Sequence, residues 1–291
     1  MNGLIEKLVI GSVQFGQNYG ISNKNGIVIP KEVHAILNLA NENGIDTIDT
    51  AKGYGESENV IGQYIKEKKT TWKIISKYKD YDEGLKHQVF KSAKLLNARP
   101  KIVLAHDVNF YMDTRFQSEV QQLRDKGFIK KIGVSIYSKE EIDIVLKSKL
   151  KPEVVQLPIN ILDTRLYHND CLERLIAEKI QIHARSVFLQ GLFYLTPAEL
   201  KENFKDAVSI LKKLYSIAKR YGLSIGELSL CWVASLDCIS KIIIGVENAK
   251  QLKSHISLLN EQKGQSFFEE ALSLNYQNKN ILNPSLWTQK F

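Results

Sequence analysis

Residues 44 to 58 read Gly-Ile-Asp-Thr-Ile-Asp-Thr-Ala-Lys-Gly-Tyr-Gly-Glu-Ser-Glu. A β-branched stretch there carries a carboxylate, Asp49, and a polar turn follows in which Tyr54 stands between Gly53 and Gly55. Two later apolar runs also end in reactive side chains: Trp72 to Lys77 closes on an amine, and Lys101 to His106 on an imidazole. In a parallel barrel, catalytic groups gather at the carboxyl ends of the strands. Asp49, Tyr54, Lys77 and His106 are therefore expected around one pocket mouth. Taken singly, each has an ordinary explanation, since a strand-end Asp often caps a loop and a lone His often packs. An acid, a phenol, an amine and an imidazole together at successive strand ends are hard to explain by packing.

Other chemistries fail on spacing. Gly11 and Gly16 have the separation of a P-loop, but Gln17 stands where the phosphate-gripping Lys is required. No GxGxxG follows a strand, so a Rossmann dinucleotide site is unsupported. No HExxH occurs, and the histidines at 34, 87, 106, 168, 183 and 255 lack metal-ligand spacing, so no metal is expected. Cys171, Cys231 and Cys238 contain no CxxC and cannot close a disulfide framework, which suits a reducing cytosol.

Lys and Arg number 40 against 32 Asp and Glu, a net charge of +8 at pH 7. That excess is spread along the chain, which fits a solvated Lys-rich surface or an anionic small ligand better than nucleic acid. No apolar run reaches the ~18–20 residues that span a bilayer. The opening Met-Asn-Gly-Leu-Ile-Glu-Lys has no apolar signal core. A cytoplasmic protein with no membrane partner is expected; the oligomeric state is not legible.

Eight short runs rich in Ile and Val must position these groups. They are Lys7–Val13, Ile45–Asp49, Trp72–Lys77, Lys101–His106, Lys130–Ser135, Glu153–Leu157, Ile180–Ser186 and Ser240–Ile244. They do not alternate cleanly, as is usual for parallel strands covered on both faces. Amphipathic stretches separate them. Pro30 opens one helix that closes at Asn43-Gly44, and Ser57–Ile65 forms a second. Ser138 with Glu141 reads as a capping box. Glu202–Arg220 and Ser224–Leu236 make two helices before the last strand, and Gln251–Leu259 covers it from behind. The pattern predicts an α/β fold, a (β/α)8 TIM barrel with extra helix between strands seven and eight. No linker divides residues 1–291, so one domain is expected, with a tail over 261–291 that is helical near Phe267–Leu272 and otherwise irregular.

With these residues in order, the sequence resembles the aldo-keto reductase family. The resemblance rests on Asp49-Thr50-Ala51-Lys52-Gly53-Tyr54-Gly55 with Glu58, on Lys77 after Ile-Ile-Ser, and on His106 after Val-Leu-Ala. Ile132-Gly133-Val134-Ser135, Val155-Gln156-Leu157-Pro158-Ile159-Asn160 and Ile244-Gly245-Val246 leading to Gln251-Leu252 extend it over most of the chain. It implies reduction of an aldehyde or ketone by NAD(P)H, with NADP(H) preferred by family habit and NAD(H) open. Tyr54 would be the general acid, Lys77 and Asp49 would tune it, and His106 would orient the carbonyl oxygen. For the cofactor, the resemblance implies Ser135 and Gln156 at the nicotinamide amide, with Gly11 and Ser12 beneath. Ser186 and Gly191 would meet the pyrophosphate, and Gly245 through Gln251 the adenosine.

The chain departs from the family pattern at several positions. Ile136 replaces an Asn, Arg185 stands where an aromatic stacks on the nicotinamide, Gln251 replaces an Arg and His255 an Asn. The stretch before strand one is also short for the family's N-terminal hairpin. Arg185 is expected to stack through its planar guanidinium instead. Aromatics at Phe15, Tyr19, Phe110, Tyr111, Phe188, Phe193, Tyr194 and Trp287 are candidates to shape a substrate pocket. The segment Ala184–Gly191 resembles reductases of bacterial surface-sugar pathways, which implies a sugar-derived carbonyl. Two other classes stay open: a nucleotide-sensing regulatory subunit on the same fold, and a lyase or isomerase using Lys77 as a Schiff-base amine.

Overall fold

Each of the eight apolar runs forms a strand in the computed structural model, which describes residues 3–80, 83–196, 198–200, 202–261 and 268–287. The strands are β1 Leu8–Gly11, β2 Thr47–Ala51, β3 Lys73–Tyr78, β4 Pro100–Ala105, β5 Lys131–Ser135, β6 Val154–Pro158, β7 Gln181–Arg185 and β8 Ile239–Gly245. All neighbours pair in parallel, and β8 closes on β1 with Val9 opposite Ile243 and Gly11 opposite Gly245. The fold is a (β/α)8 barrel.

Both faces of this sheet are covered, so its alternation hides in two apolar layers. Leu8 and Ile10 join the outer layer beneath the helices. Val9 joins Ile75, Leu104 and Val154 in a separate cluster that fills the barrel interior. Because successive side chains alternate between faces, the residue two positions further on also points inward, one layer higher. Two beyond Val9, Ile75 and Val154 stand Gly11, Lys77 and Gln156. The apolar plug thus ends upward in a polar layer of site residues.

The helices are α1 Pro30–Glu42, α2 Ser57–Lys68, α3 Leu85–Leu95, α4 Val108–Met112, α5 Thr114–Asp125, α6 Lys139–Leu146, α7 Cys171–Ala177, α8 Val208–Arg220, α9 Ile225–Ser235, α10 Ala249–Asn260, α11 Phe268–Leu272 and α12 Lys279–Leu282. Several start on side-chain caps. Ser224 and Glu227 form a complete capping box on α9. The box expected at Ser138 is skewed: Ser138 Oγ accepts from the Glu141 amide, but the Glu141 carboxylate takes the Tyr137 amide instead of that of Ser138. The helix expected from Glu202 begins as a 3-10 turn, Glu202–Ala207, before α8.

The tail is more ordered than its sequence suggests, with α11, α12 and a turn at Pro284–Leu286. It reaches the top of the barrel, where Pro284 and Ser285 line the central cavity. At the bottom, a 3-10 turn at Ile5–Lys7 precedes β1. Lys7 Nζ donates to the carbonyls of Ala234 and Leu236, both at 3.0 Å, and Lys241 Nζ donates to that of Glu6 at 2.6 Å. Among the described residues no helix is long and apolar enough to cross a membrane.

Candidate active site

Tyr54 sits in the turn between β2 and α2, and the loop after β1 holds that turn in place. Gly16 and Gly55 pack so closely that a Cβ at Gly16 would run into the Tyr54 carbonyl oxygen. A Cβ at Gly55, whose φ is +54°, would run into the Gly16 carbonyl oxygen. Gln17, at the position a P-loop needs for Lys, donates its amide to the Gly53 carbonyl at 2.6 Å. Below the turn a buried hydroxyl chain links the elements: Thr50 Oγ1 lies 3.3 Å from Ser57 Oγ, which donates to Ser12 Oγ at 2.8 Å. Glu58 accepts from Ser76 Oγ at 3.0 Å and so ties α2 to β3.

Asp49 and Lys77 form an ion pair between adjacent strands, both side chains 4% exposed. The other Asp49 oxygen accepts from Gln156 Nε2 at 2.8 Å across the barrel. Lys77 Nζ lies 5.3 Å from the centre of the Tyr54 ring. Burial first, and then the Asp49 charge, raise the Tyr54 phenol well above its ordinary range, so it stays protonated. The charge that opposes them is that of Arg185. Lys77, given that tuning role from the sequence, is matched by Asp49. His106 follows β4, its amide donating to the Tyr78 carbonyl at 2.8 Å. Burial, then the charges of Lys77 and Arg185, lower it to about 4, so its imidazole is neutral.

A cavity of about 550 Å³ opens above this layer. Asp49, Tyr54, Lys77 and His106 line it together, as do Gly11, Ser12, Ser135, Gln156, Arg185, Ser186, Gly191, Gly245 and Gln251. Those thirteen positions come from every strand but β4, from the loops that follow β1, β2, β4 and β7, and from the start of α10, and they meet in one place. Loops after β1 and β7 form the roof. The Ile21 amide donates to the Gln190 carbonyl at 2.9 Å, and a Cβ at Gly191, whose φ is +94°, would strike Ser22 Oγ. Lys24 Nζ pairs with Glu199 at 2.8 Å.

The guanidinium of Arg185 stacks on Tyr137, 4.1 Å from the ring centre. One of its flat faces, expected to meet a nicotinamide, is therefore taken by a protein ring. Of the pocket aromatics expected, Tyr19, Phe188 and Tyr194 line the cavity. Phe15, Phe110, Tyr111 and Phe193 are core residues, and Trp287 packs edge-on against Phe204.

The model of the Aldo/keto reductase family matches residues 7–275. This chain belongs to that family. A relative, aldo-keto reductase YhdN of Bacillus subtilis (strain 168), is 24% identical over 261 residues, 75% of this chain and 76% of that one. Among solved structures, the glycerol dehydrogenase AKR11B4 from Gluconobacter oxydans superposes with a TM-score of 0.71 at 19% identity, covering 98% of this chain and 94% of that one. At that identity the likeness speaks for the barrel alone. Membership in the family makes the chain an oxidoreductase of the NAD(P)H-dependent, carbonyl-reducing kind.

Several cavity residues of this aldo-keto reductase were not singled out from the sequence. Gln14, Tyr137 and Gln190 line the cavity, as does Glu247, which falls within the expected adenosine stretch from Gly245 to Gln251. Gln14 follows β1 in the Gly11-Ser12-Val13-Gln14 run, a strand-end position that the barrel pattern flags. Tyr137 and Glu247 each lie two residues beyond a site residue, Ser135 and Gly245, so the same period would have found them. Burial raises Glu247, whose amide donates to Gln251 Oε1 at 2.8 Å. That contact commits Gln251 to the start of α10. His255 lies face to face with Phe188, ring centres 5.0 Å apart.

Proposed function

We propose that this aldo-keto reductase reduces an aldehyde or ketone to the alcohol, with Tyr54 as the proton donor. The observation that carries the reading is the buried Asp49–Lys77 pair beside a phenol that burial keeps protonated, at the floor of one cavity. Tyr54 would deliver its proton to the carbonyl oxygen, leaving a phenolate whose negative charge Lys77 and Arg185 face. Asp49 and Gln156 hold the Lys77 ammonium in place. Neutral His106 would donate a hydrogen bond to the same oxygen and fix its direction.

The residues around the cavity suit a dinucleotide. Its volume lies within the ordinary range for small-molecule sites, about 300–1,000 Å³. Three buried polar atoms without a partner among the described residues, Gln14 Oε1, Arg185 Nε and His255 Nδ1, belong to side chains that line it. Such atoms are costly to bury unpaired and mark places for a ligand's polar groups. Ser135, with Gly11 and Ser12, would hold the nicotinamide end, Ser186 and Gly191 the phosphates, and Gly245, Gln251 and His255 the adenosine. A bound reduced nicotinamide supplies the hydride. NADP(H) is the cofactor the family resemblance favours.

Lys77 does not suit the Schiff-base reading, because a nucleophilic amine must be free of its proton and this one is paired with a buried carboxylate. A panel of aldehydes and ketones assayed for NADPH and NADH oxidation tests the proposal. Turnover of at least one carbonyl with one cofactor is expected, and no covalent adduct after borohydride. Tight cofactor binding without turnover of any carbonyl would favour a regulatory role, and a borohydride-trapped Lys77 a lyase.

A further inference from the structure

Three cations line the cavity: Lys24, Lys77 and Arg185. Two have carboxylate partners, since Lys24 pairs with Glu199 at 2.8 Å and Lys77 with Asp49. Among the described residues Arg185 pairs with no carboxylate. The third cavity carboxyl, Glu247, is raised by burial alone with no cation holding it down, so it is not the missing partner.

What surrounds Arg185 orients it without neutralising it. Tyr137 covers one face at 4.1 Å. Nη1 donates to Ser186 Oγ at 3.2 Å and Nη2 to the Ile136 carbonyl at 3.3 Å. Nε is buried and, among the described residues, donates to nothing. A guanidinium has five N–H donors in a rigid planar fork, and two are used here by neutral acceptors at long range. Three N–H donors are left, enough to offer a two-donor edge to the oxygens of a carboxylate or phosphate. Its position relative to the reacting groups is also defined. Arg185 lines the same cavity as Tyr54, Tyr19 and His106, and its charge opposes the rise of the two phenols and adds to the lowering of the imidazole.

We propose that Arg185 is the anion receptor for the substrate, and that the carbonyl compounds this enzyme reduces carry a carboxylate or phosphate which the free edge of Arg185 binds. This rests on the reading of the site as a carbonyl reductase and adds the substrate class to it. Arg185 is then a binding and specificity residue. Fixing the anion aligns the carbonyl beneath Tyr54 and His106, and the cation also steadies the phenolate left after proton transfer. A cofactor phosphate has the same oxygen chemistry, and the test separates the two sources.

The experiment compares matched carbonyl pairs: 4-carboxybenzaldehyde with its methyl ester, and glyceraldehyde 3-phosphate with glyceraldehyde. Wild type, Arg185→Lys and Arg185→Met are measured, with cofactor dissociation constants read by fluorescence. Wild type should favour the charged member of at least one pair by about tenfold or more in kcat/KM, mainly through KM, as one charge-assisted contact allows. Arg185→Met should bring the charged-to-neutral ratio of kcat/KM to about one, on top of a loss in kcat shared by both partners because the charge facing the phenolate is gone, and Arg185→Lys should keep part of the preference. Cofactor affinity should stay within about threefold in both variants. Calorimetry of 4-(hydroxymethyl)benzoate against its amide, on the cofactor-loaded protein, reads the same preference without turnover. A panel that shows no reduction therefore defeats the reductase reading while Arg185 is still tested. Cofactor affinity falling tenfold in Arg185→Met with an unchanged charged-to-neutral ratio would assign the edge to a cofactor phosphate and overturn the proposal. So would no preference in wild type in either kinetics or calorimetry. Thermal melting of each variant separates these outcomes from misfolding.

Discussion

The two sides of the cavity are built differently. On the β1–β3 side, with Gln156 reaching across from β6, the polar groups are joined to one another before any ligand arrives: Asp49 to Lys77 and Gln156, Ser57 to Ser12, Glu58 to Ser76. On the β7–α10 side, Arg185 Nε and His255 Nδ1 are buried without partners among the described residues. Three non-glycine residues after β7 also take left-handed backbone angles, Ser186 at φ 58°, Leu189 at 45° and Gln190 at 53°. Such conformations persist only where the surroundings enforce them, and they gather at ligand clamps. The contrast separates two tasks. Proton chemistry needs groups held in register in advance. Ligand capture leaves donors unmet until the ligand meets them.

Breaking the assembled side should have the largest consequence. Lys77→Met leaves Asp49 charged and buried with only Gln156, which should destabilise the fold by about 3–5 kcal/mol. Turnover should fall by about a thousandfold, since the phenol loses the cation facing it. Chemical denaturation and initial rates on the folded fraction check both, and a variant with near-normal rate and stability would remove Lys77 from the network. Next is Gly16→Ala, where the added methyl meets the Tyr54 carbonyl. Displacing Tyr54 should lower kcat by about 10- to 100-fold, with cofactor affinity little changed.

A smaller effect follows from the barrel interior. Burial, then Lys241, Lys131 and Lys77, lower His183 from 6.5 to about 3. The folded protein keeps this imidazole neutral while the unfolded chain takes up a proton below about 6.5. Its contribution to stability is therefore intact above that pH and is lost as pH falls toward about 3, by about 2 kcal/mol at pH 5. Melting curves at pH 7 and 5 should show a drop that His183→Gln reduces; equal drops would place the acid sensitivity elsewhere. The gentlest test is hydrogen exchange with and without the bound cofactor. Protection should rise at residues 186–191 and 247–255 and change little at 47–57 and 73–78. A uniform rise would erase the distinction between the two sides.

Much of the assembled side was legible in the sequence. All eight strands form where Ile and Val clusters stand, with ends shifted by a few residues, as in β2, which runs to Ala51 past its expected end at Asp49. Asp49, Lys77 and Gln156 are legible for a physical reason. Polar residues in buried strands are costly, so they signal the inward polar layer. The Gly16–Gly55 packing and the Gln17–Gly53 contact were not legible, because they depend on how two loops meet. The same holds for Lys24–Glu199, joined across 175 residues of chain. The stacking of Arg185 on Tyr137 brings together residues from two non-adjacent strand ends, and no sequence period links them. Nothing in the sequence shows which Arg185 donors stay free, since that depends on the neighbours that fold around it.

The central claim is that Tyr54 donates a proton while a hydride passes from nicotinamide to a carbonyl carbon. The most direct measurement follows deuterium from 4,4-dideuterated NAD(P)H into product, in wild type and in Tyr54→Phe of matched cofactor affinity. Wild type should give an alcohol bearing one deuterium on the carbinol carbon, and Tyr54→Phe should give about a hundredfold less or lower in the same time. Labelled alcohol from Tyr54→Phe at the wild-type rate would contradict the assignment of the acid, and alcohol without label would contradict the reaction itself.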